Sequence, residues 1–243
     1  MKTFKQFMQE SINDRGRLKA IFVIGLPGSG KSYTIKQLTG SVAPRIVNTD
    51  NATEYFSKKF STQINSANWD EFKDDAHRIT HAALLNYVDG LLPLFVDGTS
   101  NDVSNILHRM GILESIGYDV GVVFVNTPLQ TALKRAKARA KDVGREIDED
   151  FIREVDGRNA ENAAYLRDKV SFFKQVNNSD DELDDLIMHT AFKAVQSFYD
   201  QPVKNPVGRR TLEEMNEKKL KYIAPEIMSR DVLAKKINGW YRS

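Results

Sequence analysis

The sequence predicts a three-layer α/β fold: a five-stranded parallel sheet with helices on both faces, plus a small helical C-terminal extension. Three observations predict it. Short apolar runs alternate with helical patterns from residue 20 to residue 198, the signature of successive βαβ units. The first run leads into Gly25-Leu26-Pro27-Gly28-Ser29-Gly30-Lys31-Ser32, which fits G-x-x-x-x-G-K-[ST] at every fixed position. The second and third runs end in the carboxylates Asp50 and Asp97, and ligands of doubly wound sheets sit at the carboxyl ends of the strands.

Each element has its own justification. Residues 1–17 are polar with Phe4, Phe7, Met8 and Ile12 at helical spacing, so a short amphipathic leader is expected over 1–18. Ala20–Ile24 is β-branched and apolar, a buried parallel strand, and Ser32–Leu38 reads as the helix after the glycine loop. Arg45–Asp50 reads as the second strand, ending in its carboxylate. A long polar and helical insertion follows over 51–89, with a stripe of His77, Thr80, Ala83, Leu84 and Tyr87 on one face. Leu91–Thr99 reads as the third strand, Met110–Ser115 as helix and Tyr118–Asn126 as the fourth strand. Pro128–Lys141 is a basic helix, closed by a turn with Gly144 at its C-cap. Asp148 caps the next helix, Phe172–Asn177 is the fifth strand, and Ser179 with Glu182 forms a capping box for a helix through Phe198.

The α/β body is therefore placed at 19–199, with a lid near 134–147. Pro202 and Pro206 mark a break, and 200–243 forms the extension. Within it Thr211 and Glu214 read as a capping box, Ala224-Pro225 as a turn and Asp231–Trp240 as a helix. A segment this short cannot bury a core alone, so it is expected to lie on the body or to order on a partner.

Composition narrows the class. The chain has 243 residues, 41% hydrophobic and 28% charged, as a globular protein does. No apolar run is long enough to cross a bilayer and no signal-peptide core opens the chain, so a cytoplasmic protein with no membrane partner is expected. With no cysteine, thiol catalysis and thiolate metal sites are excluded. His77 and His81 stand four apart but lack the Glu of H-E-x-x-H, so they read as a helix-surface pair and not as zinc ligands. Net charge is only +2, yet six basic residues against one acidic residue fall between Lys134 and Arg145. Such a cluster suits anions.

The glycine loop dictates the chemistry. Inward-turned amides and the positive end of the following helix form a cradle for phosphate oxygens. Gly25, Pro27, Gly28, Ser29, Gly30, Lys31, Ser32 and Tyr33 are the expected ATP contacts, with Lys31 reaching the β- and γ-phosphates and Ser32 ligating Mg²⁺. Phosphoryl transfer also needs a group to orient the attacking hydroxyl and cations to stabilise spreading charge. Asp50 is assigned as the base. Asp97 reads either as a carboxylate contacting Mg²⁺ through water or as a substrate ligand. Arg135 and Arg139 share one helix face, and Arg145 follows a glycine turn that can carry it over the triphosphate. Arg139 and Arg145 are expected to act on the transferred phosphate. Arg135 is expected to contact the nucleotide, its alternative being a solvated helix face.

These residues carry a resemblance. GLPGSGKS, the NTD that ends the second strand, VDGTSND after the third, and the arginines at 135, 139 and 145 look like the zeta-toxin and polynucleotide-kinase branch of P-loop kinases, related to adenylate kinase. The resemblance covers Ala20 to Phe198 and implies a P-loop kinase fold. It implies that Asp50 matches the hydroxyl-activating aspartate, Lys31 and Ser32 the phosphate and Mg²⁺ contacts, and Arg139 with Arg145 the lid arginines. It also places Asn177 and Asn178 near the adenine. The sequence departs from the pattern twice. Asn51-Ala52-Thr53-Glu54 stands where polynucleotide kinases carry an arginine, and Asp97 and Asn101 stand where zeta toxins usually have glutamate and arginine. The MKTFKQF opening resembles short leaders of tailed-bacteriophage proteins, which would place the chain in a host cytoplasm.

The function expected is an ATP-dependent kinase with Mg²⁺ as cofactor, passing the γ-phosphate to a hydroxyl. The acceptor is either a nucleic-acid 5′ end or a small metabolite such as a nucleotide sugar. Lys235, Lys236, Trp240, Tyr241 and Arg242 form a cation-plus-aromatic set suited to nucleic acid. The other reading is a nucleotide-binding structural or regulatory module that docks on a protein partner through its leader or tail.

Overall fold

The computed structural model of the chain describes residues 15–40, 44–62, 64, 67–143, 147–179, 185–219 and 229–241. Its strands are β1 (Lys19–Gly25), β2 (Arg45–Val47), β3 (Leu94–Asp97), β4 (Asp119–Asn126) and β5 (Phe172–Asn177). All pair in parallel, in the order β2-β3-β1-β4-β5. The helices are α1 (Lys31–Leu38), α2 (Thr49–Phe60), α3 (Trp69–Asp89), α4 (Val103–Ile116), α5 (Leu129–Val143), α6 (Glu149–Arg167), α7 (Asp185–Asp200), α8 (Pro206–Lys219) and α9 (Arg230–Ile237). The five-stranded parallel sheet with helices on both faces and a helical C-terminal extension is the predicted architecture.

Burial follows the two-residue period of a strand. Along β1, Ala20, Phe22 and Ile24 enter a core shared with α3, α4, α6 and α9, whereas Ile21 and Val23 enter a second core with α1 and α7. Covered on both faces, β1 is buried at all seven positions.

Four local readings are corrected. The second strand does not reach Asp50. It stops at Val47, because the Asn48 side chain accepts a hydrogen bond from the Asp50 amide (2.7 Å) and starts α2 at Thr49. Asp50 therefore stands in the first turn of a helix, and the expected insertion is two helices, α2 and α3. The third strand begins at Leu94 instead of Leu91, since Leu91 lies in the left-handed region (φ 53°) and Pro93 has no amide hydrogen. Helix α4 starts at Val103, behind an Asp102 cap that accepts from the Asn105 amide, and not at Met110. Thr211 caps nothing, because its hydroxyl donates to the Val207 carbonyl within α8. Asn205 is the cap, accepting from the Val207 and Gly208 amides, with Pro206 at the first helical position, where its missing N–H costs nothing. The amphipathic leader up to Asp14, Gly144, Arg145, Glu182, the Ala224-Pro225 turn and Arg242 lie outside the described residues.

The extension is tied to the body at two places. Buried Lys19 pairs with Asp119 at 2.6 Å, and the same carboxylate accepts the Lys204 and Asn205 amides, which fixes the chain leading into α8. Further on, α9 packs on α3 and α4, and Trp240 is 1% exposed in the core of that face. Tyr241 stacks on His77 (3.9 Å between centroids) and its hydroxyl meets that of Thr49 at 2.9 Å. Trp240→Ala is expected to cost about 3–5 kcal/mol, the range for emptying a buried aromatic site. Urea denaturation measures it; a loss near zero would show that the tail does not contribute to the core.

Candidate active site

The loop between β1 and α1 is built by its glycines. Gly30 caps α1 in the left-handed region (φ 89°), and at Gly28 (φ 81°) an added Cβ would run into the Ala132 carbonyl of α5. Helix α5 can therefore lie directly on the loop. From behind, the buried side chains of Thr127 and Asn178 both donate to the Ser29 carbonyl, at 3.0 and 2.7 Å. These bonds join the loop to the ends of β4 and β5. Lys31 Nζ donates to the carbonyls of Gly25 (3.1 Å) and Leu26 (2.9 Å), which hold the ammonium at the mouth of the loop.

In front of the loop lies a cleft of about 480 Å³. Pro27, Gly28, Gly30, Lys31, Ser32 and Tyr33 line it on the loop side, and Asp50 and Asp97 line it from α2 and β3. Arg135 and Arg139 close it from α5, and Ile147 and Phe151 add an apolar wall. Most predicted site residues thus meet in one cavity. Gly25, Ser29 and Asn178 do not line it. Gly25 abuts the Val125 backbone, Ser29 is fully buried and its amide closes a turn onto the Leu26 carbonyl, and Asn178 is 4% exposed beneath the loop.

Two residues given no role in the sequence reading organise this cleft. Asn48, besides capping α2 beneath Asp50, donates through Nδ2 to Asp97 at 2.9 Å, so one side chain sets the spacing of the two acidic elements. An N-cap asparagine directly after an apolar run was its readable sign. Glu54, one turn beyond Asp50, accepts from Arg139 Nη2 at 2.5 Å and draws α5 across the cleft. A pair this exposed is worth about 0–1 kcal/mol, so Glu54→Gln is expected to leave unfolding free energy nearly unchanged. A loss of several kcal/mol would identify the pair as a structural strut.

The residues fit a magnesium ion. Ser32 and Asp97 line one cavity, and among the described residues no three His, Cys, Asp or Glu side chains converge into a protein cage. An ion bound here would take its remaining ligands from phosphate and water, as Mg²⁺ does.

The parallel sheet, the glycine loop at the end of its central strand, and the acids and arginines around the cleft define a protein of the P-loop kinase fold. More narrowly, a family model described as zeta toxin matches residues 5–186, and the chain belongs to that family. Among solved structures, a protein assigned as a kinase from Chloroflexus aurantiacus aligns with a TM-score of 0.55 at 14% identity, over 76% of this chain and 96% of its own. A gluconokinase from Sinorhizobium meliloti gives 0.45 at 14% identity (76% and 95%) and a shikimate kinase from Acinetobacter baumannii gives 0.44 at 15% (75% and 94%). No curated protein matches the sequence. Among the described residues no helix is long and apolar enough to cross a membrane.

Proposed function

We propose that this protein is an ATP-dependent kinase that transfers the γ-phosphate to a hydroxyl of a small metabolite. The observation that carries the reading is the meeting of the loop, Asp50, Asp97, Arg135 and Arg139 in one cleft. Loop amides and Lys31 grip the triphosphate, and Arg139 and Arg135 supply positive charge where it spreads over the transferred group. Asp50 accepts the proton of the acceptor hydroxyl. The acceptor oxygen bonds to the γ-phosphorus, the bond from phosphorus to the β–γ bridging oxygen breaks, and ADP leaves. Ser32 and Asp97 are the residues that would hold Mg²⁺, which when bound neutralises phosphate charge. Arg145 is proposed to join the arginines from the lid. Asn178 is proposed to act on the nucleotide through the loop that it braces.

Burial argues against the nucleic-acid acceptor. Trp240 of the cation-plus-aromatic set is 1% exposed, Tyr241 is stacked on His77, and Lys236 donates to the Ser115 carbonyl. These rings are spent on packing, whereas strand binding needs free stacking faces. Incubation with γ-labelled ATP and either 5′-hydroxyl oligonucleotides or a panel of sugars and nucleotides tests the reading. Label on a sugar or nucleotide is expected. Label on nothing, with Mg·ATP still bound tightly, would leave only a nucleotide-binding module.

A further inference from the structure

A second cavity, of about 210 Å³, adjoins the cleft. Asp97, Gly98 and Thr99 line both spaces, so the short segment after β3 is the sill between them. At Gly98 an added Cβ would meet nothing within 4 Å beyond its chain neighbours, so there is room above the glycine of the sill. Beyond it the cavity presents Asp102, the cap of α4, and Asn105 and Arg109 from the helix itself.

Arg109 is unusual for a cation in this position. Its guanidinium lies 5.4 Å from the Trp240 ring centroid and 5.2 Å from that of Tyr241, and its Nε donates to the Trp240 carbonyl at 3.2 Å. Among the described residues, none accepts a hydrogen bond from its two terminal nitrogens, and no carboxylate lies within ion-pair distance of it. Burial pushes its pKa down, with Tyr241 and Asp102 opposing, as expected of a charge that has lost water. Beside it the buried Oδ1 of Asn105 accepts no hydrogen bond. Two aromatic rings hold the guanidinium in place, and the fork of N–H groups that matches carboxylate or phosphate is left uncommitted.

We propose that this cavity is the acceptor subsite and selects a small hydroxylated anion, such as a sugar phosphate or sugar acid, whose negative group docks on Arg109. Asp102 and Asn105 take neighbouring hydroxyls, and the molecule reaches over Gly98 so that its reacting hydroxyl enters the cleft at Asp50. The space admits one charged group with its adjoining carbons, far less than a nucleic-acid strand. The tail belongs to the site, because Trp240 and Tyr241 hold the guanidinium in place. The inference rests on the transfer reading for the acceptor's fate, but the anion site can be measured apart from it.

Two measurements on the full chain test it. In the first, the phosphate loop is saturated with Mg²⁺ and a non-hydrolysable ATP analogue, and inorganic phosphate is titrated while the Arg109 Nε–H resonance is followed by NMR. Arg109→Gln identifies that resonance by its loss. A saturable displacement is expected; no displacement overturns the site. In the second, neutral sugars are compared with their phosphorylated and carboxylate counterparts as acceptors of labelled phosphate. A hydrogen-bonded charge supports a preference of about tenfold or more in kcat/KM for the anions. Arg109→Gln should erase that preference and Arg109→Lys should keep part of it. If Arg109 only pins the tail, its loss moves the melting temperature and leaves the charge preference intact, which overturns the proposal, as would label on oligonucleotides in place of small anions. Phosphate binding at Arg109 with no acceptor labelled would sustain the anion site and sink the kinase reading instead.

Discussion

Lys31→Ala is expected to abolish phosphate transfer, with a fall of about 10³-fold or more, and to weaken ATP binding strongly. The ammonium is held at the loop mouth by the Gly25 and Leu26 carbonyls, so its charge already faces the cleft when nucleotide arrives. Preorganisation of this kind makes a single donor decisive. The half-exposed side chain makes those two bonds without filling a core, so the variant should still fold. Calorimetric titration with ATP and transfer of labelled phosphate measure the two effects. Turnover at the wild-type rate would refute the assignment of the loop.

Asp50→Asn is expected to lower kcat by about 10² or more while ATP affinity stays close to wild type. The cap that starts α2 uses the backbone amide of Asp50, not its carboxylate, so the helix begins where it did and Asn48 keeps its bond to Asp97. Weakened interaction with the helix dipole costs only about 0.3–1 kcal/mol. The substitution therefore tests proton acceptance with little disturbance of the scaffold. An unchanged kcat would exclude Asp50 as the base.

The sequence displays the sheet and the loop because both are local. Ala20–Ile24 is apolar without interruption since both faces are covered, and the glycine spacing of 25–30 answers to backbone angles that few other residues adopt. Readings failed where two local rules compete. Arg45–Val47 and Asn48 are a strand and a cap in direct succession, and the cap ends the strand before Asp50. Pro206 reads as a break until Asn205 is seen to cap a helix that starts on it. Other features are tertiary and leave no periodic trace. The link from Asn48 to Asp97 spans 49 residues and that from Asn178 to Ser29 spans 149. Trp240 and Tyr241, read as part of a cation-plus-aromatic set suited to nucleic acid, are claimed by α3 and α4 through contacts that spacing alone cannot reveal.

Strand order also bears on how the chain is made. β1 is the central strand, and its two ladder partners are β3, beginning at Leu94, and β4, beginning at Asp119. During synthesis the segment Lys19–Gly25 must therefore wait, unpaired on both edges, until the ribosome has released β3. Long-range parallel pairing of this kind is slow, and an apolar strand left open in the meantime invites association with other chains. Helix α1, translated first in that interval, covers one face of β1 through Ile35 and Leu38 but neither of its edges. Translational pausing before Leu94 should therefore increase the aggregated fraction, and pausing after Asn126 should not.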